Sequence, residues 1–431
     1  MAELDAILEK YTNPDTGSIH GASFVAVDST GNDIYCKSFG YKNVNVKNSK
    51  RLTLDTPSWI ASQTKLTTSV AVMQVVEKGL IGLDDDVRDV LPQLKDLKVL
   101  IGFEGEGSIA ETLATSGDEG PYSSKPVEKP KGPPIFEKIM GKLTLRHLIT
   151  HTSGFCYDLA DPLLIKYSAW TERKDNMFSG TMQGNLHPLI FQPGSSWKYG
   201  PGLDWAGTIV AKLTGLDFNE YQQKHIWGPL GAKNTTFFPN REGLEKEDLH
   251  ETGIRAEGEG TQGLKPGDCL WRLNSRDALG GAGLFSTPND YKKLLSALIS
   301  EGGPLLSKAS VDEMFRPQIG PESTLGARAF LKGTNLDNTQ SNLYTDRYDE
   351  WENFQEIGHC LCGIVTTEDV FGRRKKGSIN WSGLPNLIWW IDRESGVAAT
   401  FFTQLLPVGD HAPRRLQIEL EAALYKAING K

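Results

Sequence analysis

Strand-forming runs stand at the two ends of this 431-residue chain, and helix-forming runs fill most of the space between. Near the start, SFVAVD (residues 23–28) and IYCKSFGYKN (34–43) are alternating apolar runs around the turn STGND, which reads as a β-hairpin. Near the end, NLIWWIDRESGVAATFFTQ (386–404) gives two more strands around a glycine turn. A strand pair leaves backbone donors and acceptors that need partners. The simplest partner for each pair is the other. The expected fold is therefore α/β (α+β), with one antiparallel sheet closed from both chain ends, flanked by helices, and an all-α domain inserted between. Residues 1–80 and 276–431 are expected to form the mixed α/β domain, and residues 81–275 a mainly helical one.

Helical periodicity supports that division. Leu4, Ile7, Leu8 and Tyr11 form an i, i+3, i+4, i+7 stripe. Residues 62–80 are apolar on every face, which marks a buried helix, with Gly79 and Gly82 to stop it. Further helices are read at 144–150, 203–213 and 218–227. At 287–299, Thr287 suits the N-cap, Pro288 the first turn and Asp290 the third helical position. Leu416, Leu420, Leu424 and Ile428 mark a last helix. Residues 103–134 are rich in Gly, Pro, Ser and charge, and read as a flexible surface excursion.

Composition excludes some functions. Acidic residues outnumber basic ones, 54 to 46, so there is no basic surplus for a nucleic-acid backbone. No apolar run approaches the roughly 20 residues that span a bilayer. The first residues, MAELDAILEKYTNPDTG, show no secretory h-region, so a cytoplasmic protein is expected. Five scattered cysteines (Cys36, Cys156, Cys269, Cys360, Cys362) are then reduced thiols.

Several motifs carry little. Gly258–Gly263 fits G-x-G-x-x-G, but no strand is read before it and KPGD follows. His147 and His151 lack a third metal ligand, so they read as packing or hydrogen-bonding histidines, and no metal is expected. His359-Cys360-Leu361-Cys362 reads as part of a strand.

The informative pattern is S-x-x-K. It occurs at Ser195–Lys198, in a Gln-Pro-Gly turn, and at Ser62–Lys65, where Ser62 opens the buried helix. On a helix, residues three apart share a face. A serine hydroxyl needs a neighbouring base to become a nucleophile. A lysine serves as that base once burial disfavours its ammonium form. Unpaired first-turn amides and the helix dipole would favour an oxyanion there. The same spacing also suits an N-cap serine followed by a snorkelling surface lysine.

Other stretches decide between these. WIASQTKLTTSVAVMQVVEKGLIGLDDDV (59–87), LTLRHLITHTSGF (143–155), FQPGSSWKYGPGLDWAG (191–207), GPLGAKNT (228–235), GGAGLFSTPNDY (280–291) and INWSGLPN (379–386) follow one another in order. Together they resemble the serine β-lactamase and penicillin-binding-protein group. They are most similar to its class C-type branch, with family VIII carboxylesterases and fungal polyketide side-chain acyltransferases. The resemblance implies a β-lactamase/transpeptidase-like fold and covers nearly the whole chain. It implies Ser62 as the acylated nucleophile, Lys65 as its base and Tyr199 as the general acid/base. It also implies an oxyanion and substrate-binding strand at Trp381, Ser382, Gly383 and Leu384, with the Ser62 and Leu384 amides as donors.

Two departures set the substrate. Pro201 stands where β-lactamases carry an asparagine amide, and Trp381 where they carry a lysine. Both remove polar recognition of penicillins. The expected activity is serine acyl-enzyme hydrolysis or acyl transfer on an ester or thioester of a small, largely apolar natural product. The donor and acceptor are small molecules, a carrier-protein-bound thioester being one form of donor, and no cofactor is needed. Residues 103–134, 155–195 and 240–275 are expected to shape the pocket. Trp170, Trp351, Trp389 and Trp390 are read as mainly core, with one or two lining the site. A β-lactamase or D-Ala-D-Ala-type peptidase, and a non-catalytic ligand-binding pseudoenzyme, are the alternatives.

Overall fold

The computed structural model describes residues 1–106, 129–255, 263–333 and 357–430. The N-terminal helix α1 (Ala2–Thr12) buries Leu4, Leu8 and Tyr11. Strands β1 (Gly21–Asp28) and β2 (Asp33–Gly40) then form the expected hairpin. Its turn is closed by Asp28, whose Oδ1 accepts the amides of Thr30 (2.8 Å) and Asn32 (3.0 Å).

The remaining strands of the main sheet come from the far end of the chain. They are β3 (Ile357–His359), β4 (Ile364–Thr366), β5 (Ile379–Gly383), β6 (Leu387–Asp392) and β7 (Val397–Phe402). The order is β2-β1-β7-β6-β5-β4-β3, antiparallel throughout. The two chain ends meet where β1 pairs with β7, from Ser23 opposite Phe402 to Asp28 opposite Val397. Every residue of β6 and β7 is buried, because helices cover both faces. Directly opposed residues share a face. Phe24 lies opposite Phe401 and reaches Trp390 at 5.9 Å. On the other face, Phe402 meets Tyr291 at 6.0 Å.

Tyr291 belongs to the helix Pro288–Ile299, which starts as the sequence indicates. Thr287 accepts the Asp290 amide at 3.2 Å, and Pro288 sits in the first turn. The C-terminal helix His411–Asn429 packs beside α1 and buries Leu416, Leu420 and Leu424.

The helix predicted over 62–80 is Thr64–Glu77, buried continuously from Thr64 to Val75. Ser62 lies just before it, in a 3-10 turn spanning Ala61–Gln63. At the other end Gly79 takes φ 66°, and the Leu80 amide reaches back to the Val75 carbonyl (3.1 Å). Against this helix packs Gly202–Thr214, one residue longer at each end than its sequence reading.

The segment between the chain ends is less purely helical than expected. Lys98–Phe103 pairs with Pro134–Lys138, so the 103–134 excursion springs from a strand pair, and its residues 107–128 lie outside the described residues. Thr252–Arg255 pairs with Leu264–Gly267 and, in parallel, with Leu405–Leu406. A strand therefore does precede the G-x-G-x-x-G stretch, but a strand follows it too, where a dinucleotide site needs a helix. Gly253, Pro266 and Gly267 read as turn residues, which hides these short strands in the sequence. His359 ends β3, and Cys360–Gly363 form the turn into β4 instead of continuing a strand. One contiguous apolar core runs from Leu4 and Leu8 through the central helix to Leu424 and Tyr425.

Candidate active site

The turn that carries Ser62 is held from two sides. Ser58 and Trp59 pair with Ser286 and Phe285, and the Ile60 amide donates to the Leu284 carbonyl (3.1 Å). The Trp59 indole donates to the Ala282 carbonyl at 2.6 Å. From the sheet, Gly383 at the end of β5 lies so close that a Cβ there would sit 2.6 Å from the Ile60 carbonyl oxygen. Between these supports Ala61 adopts φ 45°, a left-handed conformation costing an L-residue roughly 1–2 kcal/mol. Strain of this kind persists only where packing imposes it, and Ala61 is buried. It aims Ser62 into a cleft while Lys65 follows one turn later.

Three of the sequence-predicted side chains meet there. Lys65 Nζ lies 3.1 Å from Ser62 Oγ, and the Tyr199 hydroxyl donates to that Oγ at 2.6 Å. Tyr199 arrives from the loop before Gly202–Thr214, where a Cβ on Gly202 would stand 2.0 Å from the Leu148 carbonyl oxygen. Trp381 lies on β5, and its indole N–H donates to the Tyr199 hydroxyl at 3.3 Å. It therefore orients the phenol as well as forming an apolar wall. Ser382 and Leu384 line the cleft, whereas Gly383 faces the Ile60 carbonyl.

Lys65 is buried, and two further groups hold it. Its Nζ donates to the Gly281 carbonyl (2.7 Å) and to the Tyr157 hydroxyl (3.1 Å). The Gly281 amide in turn donates to Asp204 Oδ1 at 2.8 Å. A single residue, Gly281, thus ties the carboxylate to the amine. Burial pushes the Lys65 ammonium down from the ordinary lysine range to about 7, with the Asp204 charge opposing the shift. Burial likewise pushes the Asp204 carboxyl up, opposed by Lys65. The Tyr199 phenol is pushed well above its ordinary range, again by burial, so it rests protonated. A neutral amine that accepts from Ser62, beside a phenol that donates to it, is the arrangement that general-base activation requires.

The other singled-out residues do not join this cluster. Ser195 donates to the Gln192 carbonyl (2.8 Å) and Lys198 pairs with Asp161 (3.4 Å), so the second S-x-x-K does not assemble. His147 accepts the Thr144 amide through Nδ1 at 3.4 Å, as a hydrogen-bonding histidine. His151 is buried with its ring 4.8 Å from that of Tyr199, and burial holds it well below its ordinary range. No group of three metal-ligating side chains is found among the described residues.

The cleft in front of Ser62 is walled by Trp59, Trp271, Trp381, Met177, Phe178 and Val408. Residues 155–195 and 240–275 contribute to it, through Tyr157, Met177, Phe178 and Asn185 and through Trp271. Of the four tryptophans weighed between core and site, none of the three described lines the cleft. Trp389 and Trp390 are indeed core, Trp170 packs on a satellite cluster, and Trp351 lies outside the described residues. The tryptophans that line the cleft are Trp59 and Trp271, stacked at 5.8 Å, and Trp381.

A model of the Beta-lactamase family matches residues 4–423. The chain belongs to the beta-lactamase family. Within that family it is 35% identical over 408 residues to the lovastatin esterase of Penicillium rubens, which covers 91% of each chain. It is 32% identical over 417 residues to the monacolin J acid methylbutanoyltransferase of Aspergillus terreus, covering 94% of this chain and 92% of that one. A solved structure of simvastatin synthase (LovD) from Aspergillus terreus, in a mutant form, superposes with a TM-score of 0.84 at 30% identity, covering 99% of this chain and 95% of that one. The fold is the β-lactamase/transpeptidase-like fold, and the protein is an enzyme of the esterase and acyltransferase part of this beta-lactamase family.

Sequence reasoning missed Tyr157, Asp204 and the Gly281 carbonyl. Asp204 left a trace, as the one carboxylate in the apolar stretch GLDWAGTIVA. Tyr157 and Gly281 left none, because their roles depend on where distant segments come together.

Proposed function

We propose that this enzyme forms an acyl-enzyme on Ser62 and passes the acyl group to water or an alcohol. Lys65, as the neutral amine, takes the Ser62 proton as Oγ attacks the ester or thioester carbonyl. The negative oxygen is received by the Ser62 and Leu384 amides. The Tyr199 phenol delivers a proton to the departing alcohol or thiol. In the second step the phenolate takes a proton from the incoming acceptor, and Lys65 returns its proton to Ser62 Oγ, which leaves as the hydroxyl.

The observation that carries this reading is the convergence of Lys65 Nζ and the Tyr199 hydroxyl on Ser62 Oγ, at 3.1 and 2.6 Å, in a cleft walled by aromatic rings. Pro201 and Trp381 occupy the places where a β-lactam's polar groups would be read, which favours an uncharged substrate. The names of the relatives support an acyl group of methylbutanoyl size, and a natural-product alcohol or its ester as the other half. A carrier-protein-bound thioester is one form of donor. The five free thiols fit a cytoplasmic setting. The test is steady-state turnover of p-nitrophenyl butyrate and of nitrocefin by the same preparation. Turnover of the ester at least a hundredfold faster is expected; preferential opening of the β-lactam would overturn the reading.

A further inference from the structure

One wall of the cleft carries a polar side chain that the mechanism does not use. Asn185 is only 2% exposed and lines the cleft in front of Ser62. Its side-chain amide makes no hydrogen bond with any described residue, while Trp59, Trp271, Met177 and Phe178 are its apolar companions on the lining. Its backbone is fixed. It ends the 3-10 turn Met182–Asn185, whose first amide donates to Asp277 Oδ2 at 2.7 Å. Its own carbonyl accepts the Trp205 indole N–H at 3.3 Å. Gly184 just before it is wedged against Asn176, where a Cβ would come within 2.1 Å of the carbonyl oxygen. A buried amide is normally partnered. One held rigidly at a cavity wall without a protein partner is partnered by what enters the cavity.

We propose that Asn185 is a specificity-determining residue that receives a hydroxyl of the substrate, distinct from the oxygen that reacts. The amide offers a donor and an acceptor together, and a hydroxyl answers both with one atom. No cationic side chain stands among the described lining residues, so a carboxylate would enter without a counter-ion. The preferred substrate is then largely apolar with one uncharged hydroxyl placed across the cleft from Ser62. This inference rests on the acyl-enzyme reading above.

Two matched pairs test it. Cyclohexyl butyrate and trans-4-hydroxycyclohexyl butyrate differ in the alcohol half. The p-nitrophenyl esters of cyclohexanecarboxylic and trans-4-hydroxycyclohexanecarboxylic acid differ in the acyl half. In one pair, kcat/KM is expected to favour the hydroxylated member by about tenfold or more, the scale on which an unanswered buried polar group discriminates. In Asn185→Leu that ratio should fall to about one. Ratios within twofold in both wild-type pairs would mean that the amide serves only water and would overturn the proposal. So would a preference that survives the substitution. Ratios are compared between preparations matched by their p-nitrophenol burst on the plain ester. If neither Asn185→Leu nor Asn185→Ala folds, the wild-type ratios decide alone. Absence of any burst in the wild type is a separate result, directed at the acyl-enzyme reading.

Discussion

The behaviour of the site turns on one proton. Below about pH 7 Lys65 holds it and has no lone pair for Ser62; above, the amine is free to accept. Measured kcat/KM should therefore climb about tenfold per pH unit on the acid side and level off above neutrality. Asp204 opposes the shift of Lys65, so Asp204→Asn should move this limb to lower pH. A limb that moves upward, or stays in place, would show that the two groups do not interact. Lys65→Ala and Tyr199→Phe should each slow turnover by roughly a hundredfold or more, the usual weight of a positioned acid or base. Rates near wild type in either variant would remove that residue from the mechanism.

Among elements, the tightest fit is between β5 and the nucleophile turn. A methyl at position 383 would lie 2.6 Å from the Ile60 carbonyl oxygen, so the strand or the turn must shift. Gly383→Ala is expected to cost about 1–3 kcal/mol in thermal or denaturant unfolding and to lower activity as well. An unchanged stability would mean that the contact yields freely. This fit also marks how far sequence reasoning reached. The β1–β2 hairpin and the capped helix Pro288–Ile299 were legible because turn residues, caps and periodicity are local. The motif stretches singled out Ser62, Lys65 and Tyr199, and the structure brings their side chains together. The 3-10 turn at Ala61–Gln63 was not legible, since φ 45° at Ala61 is imposed by β5 and the 280–286 segment. Nor were Tyr157, Asp204 and Asn185, whose positions come from long-range packing.

At the scale of the molecule, the C-terminal helix is tied by charge to the segment that leads into β5. Glu421 on the C-terminal helix is fully buried against Arg374, with Oε1 2.8 Å from its Nε. Removing one partner of such a buried pair costs about 3–5 kcal/mol. Glu421→Ala should lower the unfolding midpoint accordingly, and a change below about 1 kcal/mol would deny the helix this anchoring role. The sheet closed by β1 and β7 carries β5 against the turn that bears Ser62. The most direct measurement is intact-mass and peptide mass spectrometry after a brief incubation with p-nitrophenyl butyrate. A butyryl adduct confined to the peptide bearing Ser62, and lost in Ser62→Ala, is the predicted result. An adduct on another residue, or ester turnover that persists in Ser62→Ala, would contradict it.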